Sequence, residues 1–212
     1  MEKNKQQSAS GQFEQAPRPQ GQRLRARWKL FLVMAICAAP MIASYFTYYV
    51  IKPQSRTNYG TLLDPRQYPL PLLNSSKLDG TPARLQDYQG KWIMLQVAGG
   101  DCDADCKSRL FTMRQLRLMQ GKEMERIELV WLITDAQPLE TMIMREYDAT
   151  DMLRVDARRL QAWLPVDAGT SAADHIYLID PLGNLMMRFP KNADPNKMKN
   201  DIAKLLLASS IG

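Results

Sequence analysis

Cysteine and histidine are scarce in this sequence, whose 212 residues include only three cysteines and one histidine. Cys102, Cys106 and His175 form the only Cys/His cluster that such a composition could build. The sequence also lacks a phosphate-binding loop, a serine triad and a paired-carboxylate motif. The common patterns of nucleotide-binding proteins and hydrolases are therefore missing.

Excess positive charge is lacking from most of the chain, although the formal net charge is +6. Eight of the 28 Lys and Arg residues, but only two of the 22 Asp and Glu residues, lie in the first 52 positions. The remainder has 20 of each sign and is formally neutral. We therefore expect no nucleic-acid partner, because such a partner requires a basic surface.

Only one long run lacks charged residues, and it extends from residue 30 to residue 51. About 20 apolar residues cross a hydrocarbon core of roughly 30 Å, so 30–51 is predicted to be a transmembrane helix in contact with the lipid bilayer. Cys37 lies within this run and is interpreted as a small apolar residue. A cleaved signal peptide and a buried core helix are the alternatives, although the run is longer than the hydrophobic region of most signal peptides and no clear cleavage site follows it.

The charge before the apolar run predicts the orientation of the chain. Residues 1–29 carry seven Lys and Arg residues and are predicted to be a disordered tail in the cytoplasm. The tail lacks the composition of a mitochondrial presequence. We therefore predict a single-pass protein of a bacterial inner membrane, with its C-terminal domain in the periplasm.

The rest of the chain divides into a predicted stem, 52–75, and a predicted domain, 76–212. Four prolines without sustained periodicity indicate that the stem is extended. The domain alternates strand and helix patterns and ends with a strand-turn-strand signal and a helix with Asp194 as its N-cap. This order predicts a mixed α/β fold with helices on both faces of a central sheet.

The segment GGDCDADCKSRL, at a predicted strand-to-helix junction, is where chemistry is expected. Cys102 and Cys106 are four residues apart, so on one helical turn they could form a disulfide or share a metal ion. An oxidising periplasm favours the disulfide, and a helix N-terminus favours a thiolate. The pair is predicted to be a catalytic redox pair. The alternative is a copper or zinc site of Cys102, Cys106 and His175, unless His175 is only structural.

This layout resembles the Sco/SenC family, membrane-anchored thioredoxin-like proteins that help to assemble the copper centre of cytochrome c oxidase. The similarity extends roughly from Lys77 to Leu207 through DGTPARLQDYQGKW, a strand, CDADC, a helix, IELVWLITD, DH, YLIDPLGN and a final helix. It implies a thioredoxin-like central mixed sheet flanked by helices. It also implies copper binding through Cys102, Cys106 and His175, or thiol-disulfide exchange on an oxidase subunit.

Two features depart from the family pattern. Asp103 and Lys107 stand where prolines usually follow the two cysteines. The Asp-His pair of the family lies about three residues further upstream, which places Ala172 at the ligand position here. An odd-numbered shift along a strand can turn His175 to the other face of the sheet.

The leading functional prediction is an assembly factor for a respiratory cytochrome c oxidase, which binds copper or controls thiol redox state at the copper centre. Such a protein is not a turnover enzyme in the usual sense. A membrane-tethered thiol-disulfide oxidoreductase is one alternative. A non-catalytic thioredoxin-like interaction domain that has lost the metal site is another.

Overall fold

The computed structural model of the protein describes residues 20–47, 49 and 58–211. The chain divides into two compact units, one ending at Ser55 and the other beginning at Arg56. Most of the predicted cytoplasmic tail and residues 52–57 of the predicted stem lie outside the described residues.

The described part of the N-terminal unit contains one helix, α1 (Gln20–Phe46), with Pro40 inside it. Its segment Trp28–Phe46 is apolar and none of it is buried. At 19 residues it is long enough to cross a membrane, although a signal sequence has the same character. The predicted span agrees with this helix up to Phe46, and residues 48, 50 and 51 lie outside the described part of the chain.

The described part of the C-terminal unit contains eight strands and four α-helices. In chain order they are β1 (Thr61–Leu62), β2 (Ser75–Lys77), β3 (Pro82–Ala83), β4 (Trp92–Ala98), α2 (Ala104–Leu118), β5 (Ile127–Ile133), α3 (Thr141–Glu146), β6 (Thr150–Arg154), α4 (Ala157–Trp163), β7 (Ile176–Ile179), β8 (Leu185–Phe189) and α5 (Pro195–Ala208).

The eight strands form one mixed sheet in the order β1-β8-β7-β4-β5-β6-β2-β3. Strands β4, β5 and β6 are parallel, and the other neighbours are antiparallel. The parallel neighbours are connected through α2 and α3, since a parallel pair needs a crossover. The carboxyl ends of β4 and β5 therefore lie at the same edge of the sheet.

Strand β4 lies in the middle of the sheet, and all seven of its residues are buried. Successive side chains of a strand point to opposite faces, so one strand contributes to two cores. Leu95 packs in the same cluster as Leu160 of α4, while Met94 packs in the same cluster as Met113 of α2. The predicted arrangement of helices on both faces of a central sheet is thus confirmed.

Residues 58–75 differ from the extended stem that the prolines predict. Strand β1 pairs with β8, and Pro69 forms an isolated bridge with Asn184. The side chain of Asp201, which is 2% exposed, accepts hydrogen bonds from the backbone N–H groups of Tyr59 (2.6 Å) and Gly60 (2.9 Å). Proline is compatible with the edges of sheets, so the proline-rich composition did not exclude these pairings.

Replacement of Asp201 by Ala tests how firmly this segment is held. The change leaves the two backbone N–H groups directly before β1 without their acceptor. We expect the free energy of unfolding to fall by about 2 kcal/mol. Urea denaturation of the full chain in detergent micelles measures the effect. Asp201→Asn is the matched control and should lose less, because its amide oxygen can still accept; equal losses would contradict this explanation.

Candidate redox site at the end of strand β4

The two cysteines of the site lie on either side of the start of α2. The Asp103 carboxylate accepts a hydrogen bond from the Cys106 backbone N–H at 2.8 Å and caps the helix. Aspartate is a favoured N-cap, so the helix begins after it and includes Cys106 only. Cys102 precedes the cap with φ +35°. This differs from the expectation that both cysteines occupy one helical turn.

Cys102 and Cys106 form a disulfide, with an Sγ–Sγ distance of 2.03 Å and a Cα–Cα distance of 5.1 Å. The structure thus contains the local pair that the spacing predicts. Each residue is 1% exposed. A thiol of another protein can therefore reach these sulfurs only if the surrounding structure opens locally.

The residues that surround the disulfide are apolar, with one exception. Apolar residues of β5, α2, α3 and β6, together with the C-cap residue of α3, pack in one cluster with the cysteines: Trp131, Ile133, Leu110, Ile143, Met152 and Tyr147. The exception is Gln96, whose Nε2 donates to Cys106 Sγ at 3.6 Å.

The loop that carries Cys102 is held by Asp135, which follows β5. Its Oδ1 accepts from the backbone N–H groups of Gly100 (2.9 Å) and Gln137 (3.1 Å). A Cβ atom on Gly100 would lie 2.5 Å from the Gln137 carbonyl oxygen, and one on Gly99 would lie 2.6 Å from Asp135 Oδ2. The two glycines therefore allow the loop to approach the end of the neighbouring strand.

Lys191 and Asp174 form an ion pair with each other. The Lys191 ammonium donates to the Asp174 carboxylate at 2.8 Å and holds the pKa of that carboxyl well below its ordinary value. Desolvation lowers the pKa of Arg109. Asp174 also accepts from the Ser171 backbone N–H, so its role is to fix the turn that precedes His175.

His175 is not brought together with the cysteines. Its backbone is extended at the start of β7, and its ring contacts the edge of the Tyr177 ring, which packs in the α4-facing cluster. Gln96 contacts Cys106 and is paired across the sheet with Ile176. Ile176 packs in the cluster that contains residues of α2, so Gln96, Ile176 and the cysteines lie on the α2 face of the sheet. Since side chains alternate along a strand, His175 lies on the face opposite the cysteines.

Both ring nitrogens of His175 have partners of their own. The Nδ1–H group donates to the Phe189 carbonyl oxygen at 2.9 Å, and Nε2 lies 2.7 Å from Thr170 Oγ1. Ala172, at the family's ligand position, is half-buried and packs against the α4-facing core. A methyl group cannot bind a metal ion.

The described residues do not fit the copper site of Cys102, Cys106 and His175 in this arrangement. The two sulfurs are bonded to each other, and the imidazole is engaged on the other face of the sheet. Within the described part of the chain, no group of three His, Cys, Asp or Glu side chains is placed to hold a metal ion.

Sequence reasoning missed two residues of the site, Gln96 and Asp135. Gln96 is the one polar side chain in the strand WIMLQVA, and that contrast was a usable signal. Asp135 follows the strand IELVWLI, but its contact with Gly100 depends on the pairing of β5 with β4. The linear sequence does not reveal that contact by itself.

Comparison with known families identifies both units of the chain. The model described as "transmembrane-like, thioredoxin-like, C-terminal domain" matches residues 92–209, and the one described as "transmembrane-like, N-terminal domain" matches residues 19–50. The thioredoxin-like fold implied by the resemblance is thus confirmed. No curated protein has a matching sequence.

Solved structures show the same fold at low identity. Yeast Sco1 with copper bound is 12% identical, with a TM-score of 0.55, and the alignment covers 68% of this chain and 94% of that protein. A SCO1/SenC family lipoprotein from Bacillus anthracis is 18% identical, with a TM-score of 0.51, and the coverage is 68% and 99%. At these identities the likeness establishes the fold alone.

Replacement of Asp135 by Ala tests whether the loop limits access to the disulfide. Loss of the Gly100 hydrogen bond, at about 1 kcal/mol, should raise the rate of reduction by dithiothreitol roughly fivefold. The rate is measured by mass spectrometry after alkylation. Asp156→Ala, which removes the N-cap of α4, is the control and should leave this rate unchanged. Equal rates in the Asp135→Ala variant and the wild-type protein would contradict the proposed hold on the loop.

Proposed function

This chain belongs to the family of transmembrane-like, thioredoxin-like C-terminal domains, and we propose that it is a membrane-anchored protein whose Cys102–Cys106 disulfide exchanges with thiols of an exported protein. The observation that carries this proposal is the disulfide itself, formed across the start of α2 at the carboxyl end of a central strand. The helix N-terminus there stabilises a thiolate, which is the leaving group of an exchange reaction.

The proposed reaction conserves atoms and electrons without another reactant. A client thiolate attacks one sulfur, the Cys102–Cys106 bond breaks, and a mixed disulfide forms while the other cysteine leaves as a thiolate. A second client thiolate then attacks the client sulfur of the mixed disulfide, that bond breaks, and the remaining cysteine leaves as a thiolate. The protons that the two client thiols lose are balanced by those that the two cysteines take up. The client gains a disulfide and the pair becomes a dithiol; the reverse sequence reduces a client disulfide.

The resemblance to the Sco/SenC family supports the choice of client. We propose that the partner is the copper-binding subunit of a respiratory cytochrome c oxidase, and that the pair controls the thiol redox state of that subunit. The anchor helix would hold the domain at the periplasmic side of a bacterial inner membrane. This role is that of an assembly factor rather than of a turnover enzyme.

A client-like peptide tests the exchange directly. The oxidised full chain in detergent micelles is mixed with a reduced peptide that carries two cysteines in a Cys-x3-Cys spacing, and the products are followed by mass spectrometry. We expect the peptide to become oxidised as the chain becomes a dithiol. The Cys102→Ser/Cys106→Ser double variant is the control and should leave the peptide reduced.

Failure of the wild-type chain to exchange would contradict the redox proposal. Because the disulfide is buried, the reaction is also run in mild urea, below the unfolding transition. Exchange that is missing under both conditions would favour the non-catalytic interaction domain, in which the disulfide only stabilises the loop.

Copper(I) as cargo of the reduced pair is a second candidate function. Its support is the short distance of 5.1 Å between the two Cα atoms. A backbone that keeps this geometry after reduction holds two soft sulfur ligands close together. Anaerobic copper(I) titration of the reduced full chain should then show binding that Cys102→Ser abolishes. His175→Ala should bind equally well, because the imidazole is held by Phe189 and Thr170. Binding that persists in Cys102→Ser would remove this candidate.

A further inference from the structure

Gln96 is an exception within an otherwise apolar strand. It is completely buried in the middle of β4, and its Oε1 atom has no hydrogen-bond partner among the described residues. Its Nε2 group donates to Cys106 Sγ at 3.6 Å. A disulfide sulfur is a weak acceptor, so this contact compensates poorly for the burial of an amide. The oxidised state alone therefore does not explain the amide.

Reduction of the disulfide changes the partner that Gln96 meets. A cysteine thiolate is a charged acceptor, and hydrogen bonds to charged groups are roughly twice as strong as neutral ones. The indole of Trp131, paired with Gln96 on the adjacent strand, is fully buried and keeps water from this side of the sulfur. A buried N–H group that faces the sulfur is thus suited to a negative charge on Cys106.

The two cysteines are not equivalent in this respect. Cys106 lies in the first turn of α2, where the helix dipole favours negative charge, and it receives the Gln96 amide. Cys102 precedes the N-cap of that helix. The structure therefore supplies two stabilising groups to a thiolate at Cys106.

From these contacts we infer that Gln96 is a positioning residue that stabilises Cys106 as the leaving thiolate of the exchange reaction. An incoming thiolate, such as that of glutathione, forms its bond with Cys102 Sγ. The Cys102–Cys106 bond then breaks, and its electron pair goes to Cys106 Sγ, which faces the Gln96 N–H group. This inference rests on the proposed disulfide exchange and adds the residue that favours Cys106 over Cys102 as the leaving thiolate.

Gln96→Met tests the inference, because methionine has a similar length and lacks the N–H donor. The full chain in detergent micelles is equilibrated with buffers of reduced and oxidised glutathione, and the dithiol fraction is measured by mass spectrometry after alkylation. We expect the equilibrium constant for reduction to fall about tenfold, which corresponds to about 30 mV for this two-electron couple. Met94→Leu, a buried change two residues earlier on the same face, is the matched control and should leave the constant unchanged.

A second readout separates this role from a structural one. Gln96→Met should leave the thermal unfolding temperature of the oxidised chain equal or higher, because it removes an amide that the oxidised core does not satisfy. A structural role predicts a lower unfolding temperature and an unchanged equilibrium constant.

Mapping of the glutathione adduct tests the direction of attack. In the wild-type chain the mixed disulfide should be found at Cys102, and in Gln96→Met the share at Cys106 should rise. An unchanged constant and adduct position in Gln96→Met would overturn the inference while leaving the exchange function intact. If the wild-type chain formed no adduct and no dithiol at any ratio, the proposed function itself would fail.

Discussion

The covalent bond between Cys102 and Cys106 joins the loop after β4 to the first turn of α2, and the surrounding structure holds both ends of this bond. β4 is fixed because it lies between β5 and β7 with every residue buried. The Asp103 carboxylate sets where α2 begins, and the Asp135 carboxylate holds Gly100. The position of the two sulfurs thus depends on a strand, a helix cap and a hydrogen-bonded loop.

The disulfide is also buried, and this burial has two opposite effects on its chemistry. It keeps a client thiol away from the sulfurs, so we expect exchange to require opening of the loop held by Asp135. It also strengthens any interaction that Gln96 makes with a charged sulfur, because water is excluded from that side. The expected result is a slow exchange in which Cys106 is the preferred leaving group.

Much of the fold could be predicted from the sequence, because strand and helix patterns are local. The alternation of elements, the Asp194 cap of α5 and the cysteine spacing all appear in the linear chain. The face of His175 depends on the register of β7 within the sheet, and the role of Asp135 depends on the pairing of β5 with β4. Residues 58–75 were predicted to be a stem because a proline-rich segment has no strand periodicity. Its short pairings with the edge of the sheet depend on contacts with distant residues.

The central claim is that Cys102 and Cys106 interconvert between disulfide and dithiol within an intact fold. The most direct measurement is circular dichroism of the full chain, recorded together with its thiol content, across a series of glutathione buffers approached from both the oxidised and the reduced side. We expect the thiol content to follow one reversible curve while the spectrum of the folded domain is retained. A disulfide that stays oxidised at every ratio, or a fold that is lost on reduction, would contradict it.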